Sequence, residues 1–360
     1  MMWPYFVMVG IPAIVALFGN FLKNSKLRNR LVILSFFSIW LLLLIFRNET
    51  IGIDIHNYKY LFREAAHMSF GDIFLKVFDF RFESGFYFFS KTISVFTMDF
   101  RAFIVLSAIV SLVPIAFLYF FHARQNSYLS IVIFLSIGLF AIFFSALRQT
   151  MALAFVVPAY YFVRNRKPLL FLLMVLLAFL FHNSSLIMLI LYPIYHINLR
   201  LNRSLFLIVP VIILVYIFRN PIFSWMSFII NDFYEGEIQE TGAVMIFLLL
   251  LAFLVFSYII PDNTKLDKDT VGLRNLLLLC TIIQIFAGIN SLAMRVNYYF
   301  LIFVPILIPR IINSATEKNK KAAYLSFVLM IGFFTLWFFF RAYTVKSALH
   351  IFPYVPMWSA

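Results

Sequence analysis

Apolar segments of membrane-spanning length recur from one end of this 360-residue chain to the other. A bilayer core about 30 Å thick takes about 20 apolar residues to cross as a helix. Inside lipid every backbone N–H and C=O must be satisfied by the chain itself, so only helices and closed barrels cross. Runs such as "LVILSFFSIWLLLLIF" (31–46) and "AFIVLSAIVSLVPIAFLYFF" (102–121) are continuously apolar rather than alternating, which selects helices. The expected fold class is therefore an all-α polytopic membrane protein with about 12 transmembrane helices and a long outer loop after the second. The expected spans are 3–22, 31–46, 102–121, 128–146, 149–163, 168–181, 184–197, 204–218, 243–260, 272–289, 293–312 and 322–340. Composition agrees, with 64% hydrophobic and 12% charged residues against about a quarter charged in soluble domains. The short connections leave little room for a soluble domain, so 1–360 is expected to be a single integral membrane domain. The opening "MMWPYFVMVGIPAIVALFGNFL" has neither a basic n-region nor a cleavage site of small residues and reads as the first span. The lone Cys280 excludes an internal disulfide and a thiolate metal cluster.

A net charge of +14 would suggest nucleic acid in a soluble protein. Here the basic residues sit in short interhelical runs such as "KNSKLRNR" and "RNRK", where they orient a membrane protein, because cytoplasmic loops carry the excess of Lys and Arg. Lys23, Lys26, Arg28 and Arg30 follow the first span, Arg124 the third, and Arg164, Arg166 and Lys167 the fifth. Arg200 and Arg203 follow the seventh, Lys265, Lys268 and Arg274 the ninth, and Lys318, Lys320 and Lys321 the eleventh. Every odd-numbered span thus ends in a basic, cytoplasmic loop. Both ends of the chain, the acidic "NDFYEGEIQETG" (231–242) and the loop 47–101 then fall on the outer side.

Prolines at 12, 114, 158, 193, 210 and 305 predict kinked helices, which neighbouring helices can tolerate and which can enclose a cavity. Phe70, Phe74, Phe78, Phe80, Phe82, Phe86 and Phe88 suit helices lying on the membrane surface within the loop 47–101. Loops of that length are uncommon unless functional.

The polar residues that no basic loop explains all fall on the outer side. Arg148 and Gln149 end the fourth span in "SALRQTMALA", His182 ends the sixth in "FHNSS", and Arg295 opens the eleventh in "SLAMRVNYYF". The outer loop adds Asp54, His56 and Tyr58 in "GIDIHNY" and Glu83, Gly85 and Tyr87 in "FESGFY". An isolated Arg here reads first as a snorkelling interfacial anchor. Two outward arginines with amide and aromatic neighbours also suit a lipid-linked pyrophosphate, through paired donors and permanent charge. His182 reads either as an imidazole satisfied in a turn or as a general base or phosphate contact, since imidazole exchanges protons near neutral pH. Asp54 and Glu83 read either as solvated loop carboxylates or as catalytic groups. No stretch has metal-ligand spacing, and there is no phosphate-binding Gly loop, dinucleotide fingerprint or nucleophile elbow. Any chemistry must then use an activated substrate.

"GIDIHNY", "FESGFY", "LRQTMALAF", "AFLFHNSSL" and "MRVNYYF", in this order from about residue 50 to about residue 310, resemble the EpsG family, which belongs with Wzy-type polysaccharide polymerases. Each motif is weak alone; order, spacing and common sidedness make the set specific. The resemblance implies a GT-C-like, metal-independent membrane glycosyltransferase with no cofactor, joining undecaprenyl-pyrophosphate-linked repeat units of an exopolysaccharide, O-antigen or lipopolysaccharide glycan. It implies a bacterial inner membrane location with the active site facing the periplasm or cell exterior, and membrane lipid and a chain-length regulator protein as partners. By the same resemblance Arg148 and Arg295 hold the pyrophosphate, supported by Gln149 and Tyr298. His182 takes the acceptor hydroxyl proton or contacts a phosphate, and Asp54 or Glu83 positions sugar hydroxyls or serves as an alternative base. The loop 219–242 and the tail after Arg341 match no motif and are expected to tune sugar specificity.

Three other readings compete. An O-antigen ligase or related polyprenyl-sugar glycosyltransferase would transfer to another acceptor, with Asp54 as base. A flippase or exporter would line a route with its basic residues, yet transporters tend to show internal repeats and midplane polar groups, whereas the candidates here gather at one face. A membrane acyltransferase is the weakest.

Overall fold

The computed structural model describes residues 1–22, 24–77, 79, 82–199, 203–230, 243–344 and 350–359, and every regular element among them is a helix. Among the described residues four helices are long and apolar enough to cross a membrane alone: Ser25–Ile45, Phe100–His122, Lys268–Phe286 and Glu317–Thr344. Two bent pairs raise the number to six, Ser127–Ser136 with Leu139–Ser145 (59°) and Leu292–Leu301 with Val304–Asn313 (44°). About twelve were expected, and the difference has a local cause: several apolar runs fold as short or broken helices. Trp3–Phe18 has 16 residues and Pro168–Phe181 has 14. The run 149–163 divides at Phe155, and 184–197 becomes a 3₁₀ helix, Asn183–Ile190, followed by Leu191–His196. The first bend falls at Gly138, whose φ of +90° suits glycine, rather than at a proline. The second does precede a proline, Pro305, in the first turn of its helix. Residues 219–230, expected as loop, form the helix Arg219–Ile230. Lys23, Phe78, Phe80, Arg200 and the acidic segment 231–242 lie outside the described residues.

The chain divides into two compact units. The first comprises 1–188 and 329–360. Its helices are α1 (Trp3–Phe18), α2 (Ser25–Ile45), α3 (Ile55–His67), α4 (Phe70–Leu75), α5 (Ser84–Phe96), α6 (Phe100–His122), α7 (Ser127–Ser136), α8 (Leu139–Ser145), α9 (Leu147–Ala154), α10 (Val156–Arg164) and α11 (Pro168–Phe181), with part of the last helix, Lys320–Thr344. Trp40 of α2 is fully buried at its centre, with the rings of Phe134, Phe140 and Phe143 at 5.3, 5.4 and 4.8 Å.

The two ends of this unit differ in kind. At one, Asn29 donates to the Arg124 carbonyl at 2.6 Å, Arg30 lies over Phe120, and Tyr160, one turn before Arg164, meets the His122 ring at 5.3 Å. At the other, the Met1 nitrogen donates to the Tyr354 carbonyl at 2.7 Å, and Arg101 donates to the carbonyls of Ile45 and Arg47. The 21 residues of α2 run between them, a distance of about 32 Å. Within this unit its basic loops and the described residues of 47–99 therefore occupy opposite ends. The described residues of that segment form three helices whose inner faces are packed rather than merely laid flat: Tyr58, Phe62 and Phe86 join Phe100, Phe103, Leu147 and Met151 in one buried cluster. Phe74, Leu75 and Phe96 stay exposed.

The second unit comprises 189–328. Arg274, expected in a basic loop, instead stands within the helix Lys268–Phe286, fully buried. It donates to Asn263 and to the Leu199 carbonyl and lies 3.9 Å from the Tyr258 ring centroid. A buried guanidinium needs such partners, because an unpaired charge is expensive to desolvate. Asp269 accepts from the Tyr195 hydroxyl at 2.6 Å and pairs with Arg310 at 2.7 Å. Tyr195 can lie against this helix because residue 272 is glycine, where a Cβ would stand 2.4 Å from its ring.

Candidate functional site

Three helix ends in the first unit bring a carboxylate, an imidazole and a guanidinium together. Glu83 is the residue before α5, His182 is the extended residue (φ −160°, ψ 124°) that ends α11, and Arg148 is the second residue of α9. Gly85 explains how α5 comes so close to α11. A Cβ there would lie 2.9 Å from Leu180 Cβ and 3.0 Å from its carbonyl group, so only glycine allows this approach. The Phe86 ring locks the same turn into the buried cluster beneath.

The Glu83 carboxylate is the centre of the group. Its Oε1 is 2.6 Å from His182 Nδ1 and 3.4 Å from the Asn183 backbone nitrogen, while Oε2 is 2.7 Å from Arg148 Nη1. The Glu83 side chain is 5% exposed, that of His182 19% and that of Arg148 32%. The anion is thus covered, and its two partners are the more exposed groups. An ionised carboxylate only accepts, so Nδ1 carries the hydrogen in this pair. Nε2 is left as the nitrogen that can take or give a proton.

A second layer holds the guanidinium. It hydrogen-bonds the Tyr58 hydroxyl and lies 5.9 Å from the ring centroids of both Tyr58 and Phe86. Burial pushes the Tyr58 phenol up, with Arg148 pulling the other way. Tyr87 donates to Glu64 at 3.1 Å and stacks on Phe82 at 4.2 Å. Burial first, and the Glu64 carboxylate second, push the Tyr87 phenol up to about 12. Arg148 Nε is buried and has no hydrogen-bond partner.

Of the residues expected from sequence, the structure unites Glu83, His182 and Arg148. Asp54 stands before α3, half-buried, close enough to Tyr58 to affect its titration. Gln149 is buried, and His56 is exposed. Arg295 and Tyr298 belong to the second unit, on the helix Ser291–Leu301, where Arg295 is exposed and Tyr298 buried. Among the described residues no three His, Cys, Asp or Glu side chains gather as a metal ligand set. Glu64 and Arg47 were missed. For Arg47 a signal existed: it lies at the end opposite to the basic loops, where the orientation rule leaves a cation unexplained.

The sequence model of the EpsG family matches residues 5–355, nearly the whole chain. No curated protein and no solved structure matches it.

Proposed function

The chain belongs to the EpsG family, whose members are Wzy-type polymerases, and on that premise we propose that it joins polyprenyl-pyrophosphate-linked oligosaccharide repeat units, undecaprenyl being the carrier, at the outer face of the bacterial inner membrane. The observation that carries the reading is the shared Glu83 carboxylate between His182 and Arg148. The acceptor sugar hydroxyl attacks the anomeric carbon of the donor, and its proton passes to His182 Nε2. The bond from that carbon to the pyrophosphate oxygen breaks, and the departing anion is stabilised by Arg148. Glu83 keeps the imidazole in the tautomer with Nε2 free and stabilises the imidazolium that forms, as a buried carboxylate does for a catalytic histidine generally. Because the leaving group is already good, positioning and charge stabilisation suffice, and the reaction calls for no metal.

Arg295 and Tyr298 are carried as further pyrophosphate contacts on the family resemblance alone, and Gln149 as a supporting donor. Asp54 is the alternative base. The outward orientation rests on the basic end of the first unit being cytoplasmic. A chain-length regulator is a compatible partner of such an enzyme. The test is extension of purified lipid-linked repeat units by detergent-solubilised protein. Ladders of added units support the reading. Transfer to a different acceptor without extension would indicate a ligase, and no transfer by folded protein would remove the enzyme reading.

A further inference from the structure

We propose that Arg47 is a positioning residue for the site, holding the break between α8 and α9 on which Arg148 stands, beneath a strap formed by residues 350–359. The inference takes its activity readout, though not its geometry, from the polymerase reading. In an unbroken helix the Phe144 carbonyl would accept from the Arg148 N–H. Ala146, with φ −85° and ψ 65°, is not helical, so α8 ends and that carbonyl is orphaned. Arg47 supplies the replacement: its Nη1 donates to the Phe144 oxygen, and its guanidinium lies 5.6 Å from the Phe144 ring centroid.

The same carbonyl is crowded by Gly52, the first residue of "GIDIHNY". At φ +103° a Cβ there would stand 2.0 Å from the Phe144 oxygen, so the segment can lie on the break only as glycine. The next residue, Ile53, donates its N–H to Ser145 Oγ at 3.3 Å. The break is therefore gripped by the segment that leads into Asp54 and α3.

Arg47 is 1% exposed, which excludes a snorkelling anchor. What covers it is the strap. Asn48 N–H donates to the Val355 carbonyl at 2.9 Å, Met357 N–H to Phe46 at 2.8 Å, and Gly52 N–H to His350 at 3.3 Å, with a bridge between Arg47 and Pro356. The strap is held by the Tyr354 hydroxyl on the Leu43 carbonyl at 3.0 Å and by the Tyr5 hydroxyl on the Ile351 carbonyl. A displacement of about 1 Å at a reacting group can cost about a hundredfold in rate, so a device of this kind matters to Arg148 without touching substrate.

The test is hydrogen exchange by mass spectrometry on detergent-solubilised Arg47→Met, Arg47→Lys and Tyr354→Phe, alongside extension of lipid-linked repeat units. Arg47→Met should raise exchange at residues 144–150 and lower kcat at least tenfold while the protein remains folded. Arg47→Lys, which keeps a donor for the carbonyl, should recover most of both. Tyr354→Phe, the milder change, should loosen 46–52 and 144–150 together. Unchanged exchange at 144–150 in Arg47→Met, or loosening confined to 350–359 in Tyr354→Phe, would overturn the proposal. If Arg47→Met loosens the break but wild-type protein extends nothing, the polymerase reading fails and the hold of Arg47 on Arg148 stands.

Discussion

Nδ1 of His182 lies 2.6 Å from Oε1 of Glu83, a residue 99 positions earlier in the chain. The contact joins two residues that could each be a satisfied structural group, and with the carboxylate ionised Nδ1 carries the hydrogen and Nε2 is the nitrogen that remains. Glu83→Gln keeps the shape and removes the charge. Its amide can present N–H to Nδ1 and select the wrong tautomer. Extension should fall by about 10² to 10⁴-fold in folded protein, with His182→Ala and His182→Gln falling comparably and Asn183→Ala milder. Full activity in Glu83→Gln at equal protein level would return the pair to a structural role and move the base to Asp54.

Arg148→Lys retains a cation but loses the planar fork that serves Glu83, Tyr58 and an incoming phosphate at once. Chain extension should drop by about a hundredfold or more. Arg295→Lys should do the same. Wild-type chain lengths in either variant, read from surface glycan on a gel, would make that residue an anchor.

Gly85→Ala tests how the dyad is assembled. The added methyl meets the Leu180 carbonyl group at 3.0 Å, and backbone does not yield as a side chain would. A cost of about 1–3 kcal/mol is expected, seen as a lower melting temperature, together with loss of extension as Glu83 is drawn from His182. Unchanged melting and activity would show that the two helices have slack.

Tyr87 gives a pH signature. Its phenol is pushed up to about 12, above the ordinary value near 10, so the folded state holds the proton more tightly than the unfolded chain. This contribution to stability is complete below pH 10 and is lost as pH rises towards 12. Melting temperature should therefore decline over that window in wild-type protein and decline less in Tyr87→Phe. Parallel curves would contradict the assignment.

Sidedness is tested in a Cys280→Ala background with a thiol reagent that cannot cross membranes. Phe74→Cys and Glu235→Cys should label in intact spheroplasts and Asn165→Cys should not. The reverse pattern would invert the topology and put Glu83, Arg148 and His182 on the cytoplasmic side.

How far the site could be read in advance varies residue by residue. "FHNSS" was legible as an interruption because polar residues in an apolar run are costly, and the structure places the end of α11 there. Glu83 was visible only as a loop carboxylate, since nothing local distinguishes a solvated Glu from one 5% exposed. Gly52 and Gly85 lay inside quoted motifs, yet their meaning required the neighbours at Phe144 and Leu180. Arg274 misled, because a cation near a helix start looks like a loop residue until its carbonyl partners are seen.

Apolar runs were enough to determine a helical membrane chain. Lipid leaves the backbone few other choices. Helix breaks at Gly138, Ala146 and Phe155, and the meeting of Glu83 with His182 and Arg148, were decided by tertiary structure alone. They depend on which distant helices approach closely enough to touch, and periodicity within one segment carries no information about the surface it will be packed against.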